Sequence, residues 1–444
     1  MNRQPATNKG LERRLRDAKL EAVTDPRRQK EGIVKLFPIL NAIVIGMVTG
    51  VRSLRATERR TEQMACKREE WHGVTCRIAD NTIGTLLPRL CWSEIRGSLH
   101  RMVKAEHRRG NLKPTRLPMA TVAIDGKGTA TLRWHDLCGA VGLDEGDARV
   151  EDVRTRLSER FPNAQLCVPQ EGRPYALIRL HTVTLVSSDA AAPIHVQPIA
   201  ASTNEIGAMP SLIEQLREVY HRTRLFELIT TDAGNTAEGV MSRIDGIGWW
   251  YFAQIKSNHG EIHKEAFAVL GRRCEDESEA SYTDAENGEV VEYRVWTYDL
   301  TAHGWLDWTH ARQLVRVQRV ATCPKTGKQA VGNRYYVTNC STRRMGPKTA
   351  LSTSRAHWRC ENETHWTLDA ELRDDRGRLA WSRNPDGILT VAVLRLIALA
   401  ILAVVRRMSR IGYTQETPSW SEVMEHFLLQ LCAPILNTCA FDEV

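Results

Sequence analysis

The sequence predicts an α/β fold, a mixed sheet flanked by helices, and three stretches of its 444 residues carry that prediction. Between about 119 and 258, short runs rich in Val, Ile and Thr alternate with helical segments in the order strand, strand, strand, helix, strand, helix, strand. Residues 388–405, ILTVAVLRLIALAILAVV, are apolar enough for one long core helix. The first 115 residues are instead helix-compatible and basic, so a helical N-terminal domain precedes the sheet.

Within 1–115, DPRR (25–28) leads into LFPILNAIVIGMVTGV (36–51). That run holds a proline and two glycines and falls short of the roughly 20 residues a membrane span needs, so it reads as a buried helix. VRSLRATERRTEQM then sets Arg52, Arg55, Arg59 and Arg60 at helical spacing, which suits DNA binding as readily as a solvated bundle face. In IADNTIGTLL, Asp80 or Asn81 is the expected helix N-cap.

Residues 116–263 form the first part of the predicted catalytic domain. MATVAIDGKG is a short β-branched run that ends on the Gly-flanked Asp125, as a buried central strand does where it delivers a side chain to a site. ALIRLHTVTLVSSDA and APIHVQPIA continue as strands, NEIGAMPSLIEQLREVYHR opens a helix near Asn204, and FELITTD and WWYFAQIKSN are strands again. From 264 to 345, VVEYRVWTYDL, RQLVRVQRVAT and GNRYYVTNC, separated by turns at Gly288 and Gly327, describe a β-rich insertion. Residues 346–444 return to helix and complete the catalytic domain. The apolar helix at 388–405 approaches the length of a membrane span but carries Arg395 and runs into Arg406 and Arg407, which favours a protein core.

A formal net charge of +8 suits a polyanionic partner. The eleven cysteines are odd in number, and Cys66, Cys76, Cys91, Cys138 and Cys167 are irregularly spaced without a CxxC knuckle, as expected of reduced thiols in the cytoplasm. MNRQPATNKGLERRLRD lacks an apolar targeting core, so a cytoplasmic location without a membrane partner is expected. No fixed-period repeat is present.

The chemistry concentrates in three carboxylates. Asp125 and Asp232 each follow an apolar strand and precede small residues, Gly126 in one case and Ala233 and Gly234 in the other. An Asp before Gly is often only a turn former, but two in parallel contexts are less ordinary. Lys127 offers a phosphate contact. The third element, HWRCENETHWTLDAELRDD (357–375), puts His357, Glu361 and His365 on one helical face and Trp358, Asn362 and Trp366 on the next. A packed tryptophan stripe would fix that helix on the sheet and aim Glu361 at the aspartates. Three carboxylates meeting in space can hold a pair of hard divalent cations that clamp the attacking and leaving oxygens of a phosphodiester. A zinc site on His357 and His365 lacks further ligands at the right spacing, as does the histidine pair of HGEIH (259–263).

VAIDGKG, the NEI phrase, TTDAGNT, FAQIKSN and above all RAHWRCENETHWTLDAELRDD resemble the successive blocks of the H-repeat-associated family of insertion-sequence transposases, a branch of the DDE enzymes. Arg355, His357, Trp358, Glu361, Asn362, His365, Trp366, Leu368 and Asp369 stand in register with the last block, and Asp374 and Asp375 occupy its final acidic pair. The resemblance reaches DPRR, GVRSLRA and IADNTI, so it covers most of the chain. It implies a ribonuclease H-like catalytic fold with a β insertion between the second Asp and the Glu. Asp125, Asp232 and Glu361 then form the catalytic triad and the ligands of two Mg2+ ions, with Mn2+ able to substitute. Lys256 and Asn258 match a motif for phosphate or strand contact, and Arg355, His357 and His365 join Lys127 as DNA-binding candidates. The implied activity is binding to terminal inverted repeats, strand cleavage at each end and joining to target DNA, by a homodimer or larger assembly that brings two ends together. Ala130 stands where the family has an Arg-containing segment, and Ser202 where it has Lys. These departures motivate an alternative, a catalytically inactive DNA-binding relic or repressor, and a nuclease without a joining step is a third reading.

Overall fold

The computed structural model describes residues 8–27, 34–65, 73–286, 288–301, 306–374, 385–408 and 417–439; Arg28, Cys66 and Asp375, named above, lie outside them. The N-terminal part supplies α1 (Asn8–Ala18), α2 (Leu36–Val48), α3 (Leu54–Ala65), α4 (Asp80–Leu86) and α5 (Trp92–Arg108). The cap of α4 is Ala79, without a side-chain bond, and Asp80 is already its first residue. The α2 segment has no polar face, so eleven of its thirteen residues are buried.

The sheet begins with β1 (Thr121–Arg133), followed by α6 (Trp134–Val141), α7 (Val150–Arg160), β2 (Ala164–Cys167), β3 (Tyr175–Leu185) and β4 (Ala192–Ile199). Then come α8 (Glu205–Tyr220), β5 (Leu228–Thr231), α9 (Glu238–Gly246), β6 (Trp250–Ile255) and α10 (Glu261–Leu270). Four strands follow, β7 (Ala280–Glu286), β8 (Glu289–Asp299), β9 (Gln313–Thr322) and β10 (Gln329–Thr338). The chain closes with α11 (Pro347–His357), a π-helix (Cys360–His365), α12 (Trp366–Ala370), α13 (Asp386–Met408) and α14 (Trp420–Cys439).

All ten strands belong to one mixed sheet in the order β2-β3-β1-β5-β6-β10-β9-β8-β7, with β4 also paired to β3. The fold is therefore α/β with flanking helices, as the alternation predicted. The β-rich segment adds directly to the central sheet, because β10 pairs antiparallel with β6 from Tyr335↔Ile255 to Thr338↔Phe252. Only that half of β10 is buried, while residues 329–334 pair with β9 alone and overhang the end of β6.

Helix α13 packs against α2, α5, α14 and β4. By length and composition it would cross a membrane, yet its apolar window is wholly buried among the other elements. Arg395 lies inside it and donates a 2.5 Å bond to Asp374, itself 2% exposed, so the charge is neutralised within the core. The N-terminal helices share this core: Leu40 and Ile43 of α2, Leu99 of α5 and Ile397 and Ile401 of α13 belong to one apolar cluster with Ile124 and Val183 of the sheet.

Candidate active site

The strand register brings the two aspartates together. Parallel pairing of β1 with β5 ends at Ile124↔Thr231, and Asp125 and Asp232 are the next residue of each strand. Adjacent strands lie about 4.8 Å apart, so the two side chains start from neighbouring backbone positions. Asp125 does not end its strand: β1 continues to Arg133, paired with β3 through Asp125↔Thr182 and beyond. What ends there is the parallel partner, which leaves the edge of the sheet open beside Asp125.

The loop after β5 holds Asp232 tightly. Its carboxylate accepts from the Gly234 and Asn235 amides at 3.1 and 3.0 Å and from Asn235 Nδ2 at 2.8 Å. Asn235 is fully buried, and its Oδ1 meets His181 Nε2 at 2.9 Å. A carboxylate caught in such a turn cannot swing away, which is pre-organisation for a ligand role.

Glu361 reaches the same place from the other direction. It lies on the π-helix that follows α11, and this wider turn, uncommon outside functional positions, leaves Glu361 exposed while Cys360 and Thr364 stay buried. The segment is anchored by Arg359, whose guanidinium donates to the carbonyls of Val186, Ser188 and Asp189 at 2.5, 2.6 and 3.1 Å. The expected tryptophan stripe does not do this. Trp366 is 54% exposed and Trp358 half-buried, so the two rings do not anchor the segment.

A fourth carboxylate completes the group, and the sequence reading missed it. Asn204 caps α8 by accepting from the Gly207 amide at 2.8 Å, which fixes Glu205 in the first turn. A methyl group built on Gly126 would lie 2.6 Å from Glu205 Oε1, and one on Gly234 would lie 3.1 Å from Asp232 Oδ2 and 3.6 Å from Glu205 Oε2. Glu205 thus fills the space that side chains at these two glycines would take. The NEI phrase was the available signal, but nothing in it says that α8 starts against β1.

The electrostatics agree with the geometry. Burial raises the Asp125 carboxyl from 3.8 to about 7, reinforced by the charges of Asp232, Glu361 and Glu205 and opposed by the Gly126 amide. Glu361 is likewise raised, by burial and then Asp232, and held down by Arg334. His357 and His365 are each lowered by burial to about 4. The 3.5 Å approach of His365 Nδ1 to Asp125 Oδ2 is therefore a contact of a neutral imidazole, since a protonated ring would not sit this deep without a stronger partner.

Several expected DNA contacts are turned inward. Lys127 is 8% exposed and pairs with Asp369 at 2.6 Å and Asp374 at 3.8 Å, because the residue two positions after Asp125 points into the α12–α13 side of the sheet. His357 is 4% exposed with Nδ1 at 3.3 Å from Thr230 Oγ1, and His365 Nε2 sits 2.6 Å from Thr182 Oγ1. Lys127 and His357 are buried and His365 is partly so, with these polar atoms engaged inside the chain. Arg355 is partly exposed, but its charge is committed to Asp284 at 2.7 Å. Lys256 and Asn258, just past β6, are exposed at the same sheet edge.

Four carboxylates are hard oxygen donors, and the glycine cradle leaves them room, so the donor set fits magnesium better than a soft metal. Among the described residues, no three His, Cys, Asp or Glu side chains are already gathered around one cation position.

No family model matches the chain. It is 24% identical over 231 residues to the protein named "Putative transposase YncI" of Escherichia coli O157:H7, an alignment covering 50% of this chain and 56% of that protein. It is also 24% identical over 212 residues to "Putative protein YbfL" of Escherichia coli K12, covering 45% and 52%. The chain thus spans about half the length of the curated relatives it matches, and its similarity to a transposase is distant.

Proposed function

We propose that the chain is a DDE-type DNA transposase of the H-repeat-associated kind, which cuts strands at the ends of its own element and joins them to target DNA. The observation that carries this reading is the register that sets Asp125 and Asp232 side by side, with Glu361 and Glu205 close enough to raise the Asp125 pKa. The strand order supports a ribonuclease H-like sheet: β3 runs antiparallel to both β4 and β1, and β5 and β6 run parallel to β1. Transposase similarity adds coarser support.

In this reading Asp125, Asp232 and Glu361, with Glu205 beside them, hold a pair of Mg2+ ions whose chemistry is to polarise the scissile phosphate and stabilise the attacking and leaving oxygens. The remaining work belongs to the chain. Asp125, whose carboxyl burial raises to about 7 without metal, would give up its proton to hold a cation. Asn235 and the Gly234 amide fix Asp232. Gly126, without a side chain, lets a phosphate backbone come close to β1. Cys360 and the neutral His365 pack on Asp125 and exclude water from its inner side. Exposed Lys256 and Asn258 border the site as phosphate contacts.

The test is incubation of the full chain with Mg2+ and duplexes taken from the DNA flanking its reading frame. Nicks bearing 3′ hydroxyls, and joined products when a pre-cut end is supplied, are expected from the wild type and not from Asp125→Asn. DNA binding without cutting would favour the repressor alternative, and nicking that survives Asp125→Asn would overturn the proposal.

A further inference from the structure

Strand β3 sets His181 opposite Gly126 of β1, two strands away from β5 in the sheet order. The imidazole is fully buried, so it meets neither solvent nor DNA. It reaches Asp232 only through Asn235, which is fully buried as well. His181 Nε2 lies 2.9 Å from Asn235 Oδ1, and Asn235 Nδ2 lies 2.8 Å from Asp232 Oδ1.

An asparagine amide fits one space in two orientations that exchange its oxygen and its NH2 group. With the oxygen turned to Asp232, two acceptors would face each other; with the NH2 group there, the carboxylate gains a donor. His181 selects the second orientation. Its Nδ1 is buried and has no hydrogen-bond partner among the described residues, and a proton placed there would be a buried donor without an acceptor, which is costly. Burial lowers the imidazole to about 4, so the ring is neutral near pH 7 and carries one proton. That proton belongs on Nε2. A ring N–H aimed at Asn235 needs an oxygen to receive it, and this turns the Asn235 NH2 group toward Asp232.

The consequence falls on the carboxylate. Asp232 Oδ1 accepts from the Asn235 backbone amide at 3.0 Å and from Asn235 Nδ2 at 2.8 Å, which uses both of its lone pairs. Oδ2 accepts only from the Gly234 amide, at 3.1 Å, and lies on the side of the loop that faces Glu205. One lone pair of Oδ2 therefore remains for a cation. We propose that His181 is a positioning residue for the metal site: by orienting the Asn235 amide it ties down Asp232 Oδ1 and makes Asp232 a one-oxygen ligand through Oδ2. The inference rests on the reading that Asp232 holds a metal ion, and it adds which oxygen does so and which buried residue decides it.

The test is calorimetric titration of the full chain with Mn2+ in the absence of DNA, with thermal melting in a chelator as a separate measure of folding. His181→Leu, similar in size but without an N–H, should weaken Mn2+ affinity about tenfold or more. His181→Gln, whose amide nitrogen can stand where Nε2 does, should recover most of that loss, and the shorter His181→Asn should not. A histidine that only fills the core would change the melting temperature and leave Mn2+ affinity alone, and that result would overturn the proposal, as would equal affinity in the Gln and Asn variants. Nitrogen-15 NMR of wild type labelled at histidine needs no variant to fold: the His181 ring should be neutral with its proton on Nε2, and a proton on Nδ1 would overturn the proposal. If wild type binds Mn2+ and His181→Leu binds it equally well, this inference alone fails. If wild type binds no Mn2+, the reading of Asp232 as a metal ligand falls with it.

Discussion

Asp125→Asn should make the metal-free protein more stable, not less, and the size of the effect follows from the site. The folded protein holds the Asp125 proton until about pH 7, against 3.8 for an ordinary Asp. Below about pH 4 both forms are protonated and the site costs nothing. As pH rises toward 7 the unfolded chain has released its proton and the folded one has not, so stability falls, and the full penalty applies above 7. A displacement of about three units at 1.36 kcal/mol each gives roughly 4 kcal/mol as an upper value. With about 2.1 cal/mol/K of unfolding entropy per residue, that corresponds to a rise of about 4 °C in Tm. The assay is thermal melting of both proteins in a chelator at pH 8.5 and pH 5. Asp125→Asn should melt higher by a few degrees at pH 8.5, and the gap should shrink to less than half at pH 5. Saturating Mg2+ should then raise the wild type and leave the variant unmoved. Equal melting at both pH values, or a variant that melts lower at pH 8.5, would refute the carboxylate crowding on which the site depends.

Two further outcomes test individual contacts. Gly126→Ala places a methyl where the flexible end of Glu205 now lies, so stability should change by under about 1 kcal/mol while Mg2+-dependent nicking falls as far as in Glu205→Gln; the double variant should be no worse than either, and additive losses would mean that the two residues act separately. Lys127→Ala breaks a buried pair with Asp369 and Asp374 and should cost about 3 kcal/mol in denaturant melts; the slope of DNA affinity against salt should stay unchanged, whereas a drop of about one would restore Lys127 as a phosphate contact.

The aspartates were readable because each is announced locally, by an apolar strand before it and small residues after it. The helix of Glu361 was readable for a similar reason, since its residues repeat at helical spacing. Facing was harder to read. Lys127 and His357 have the composition of DNA contacts, but their direction depends on tertiary neighbours: Lys127 meets Asp369 of α12 and Asp374 just beyond it, and His357 meets Thr230 of β5. Glu205 escaped notice because its place beside Gly126 arises between segments distant in sequence, α8 against β1. The alternation of residues 264–345 disclosed strands but not their partner; that β10 returns to pair with β6 is a property of the sheet order.

Anomalous scattering from Mn2+ in crystals of the full chain with a pre-cut DNA end examines the central claim most directly. Two peaks roughly 4 Å apart, with Asp125 touching both and Asp232 and Glu361 each touching one or both, are expected. Manganese found elsewhere, or an Asp125 and Asp232 pair that stays free of metal while DNA is bound, would contradict it.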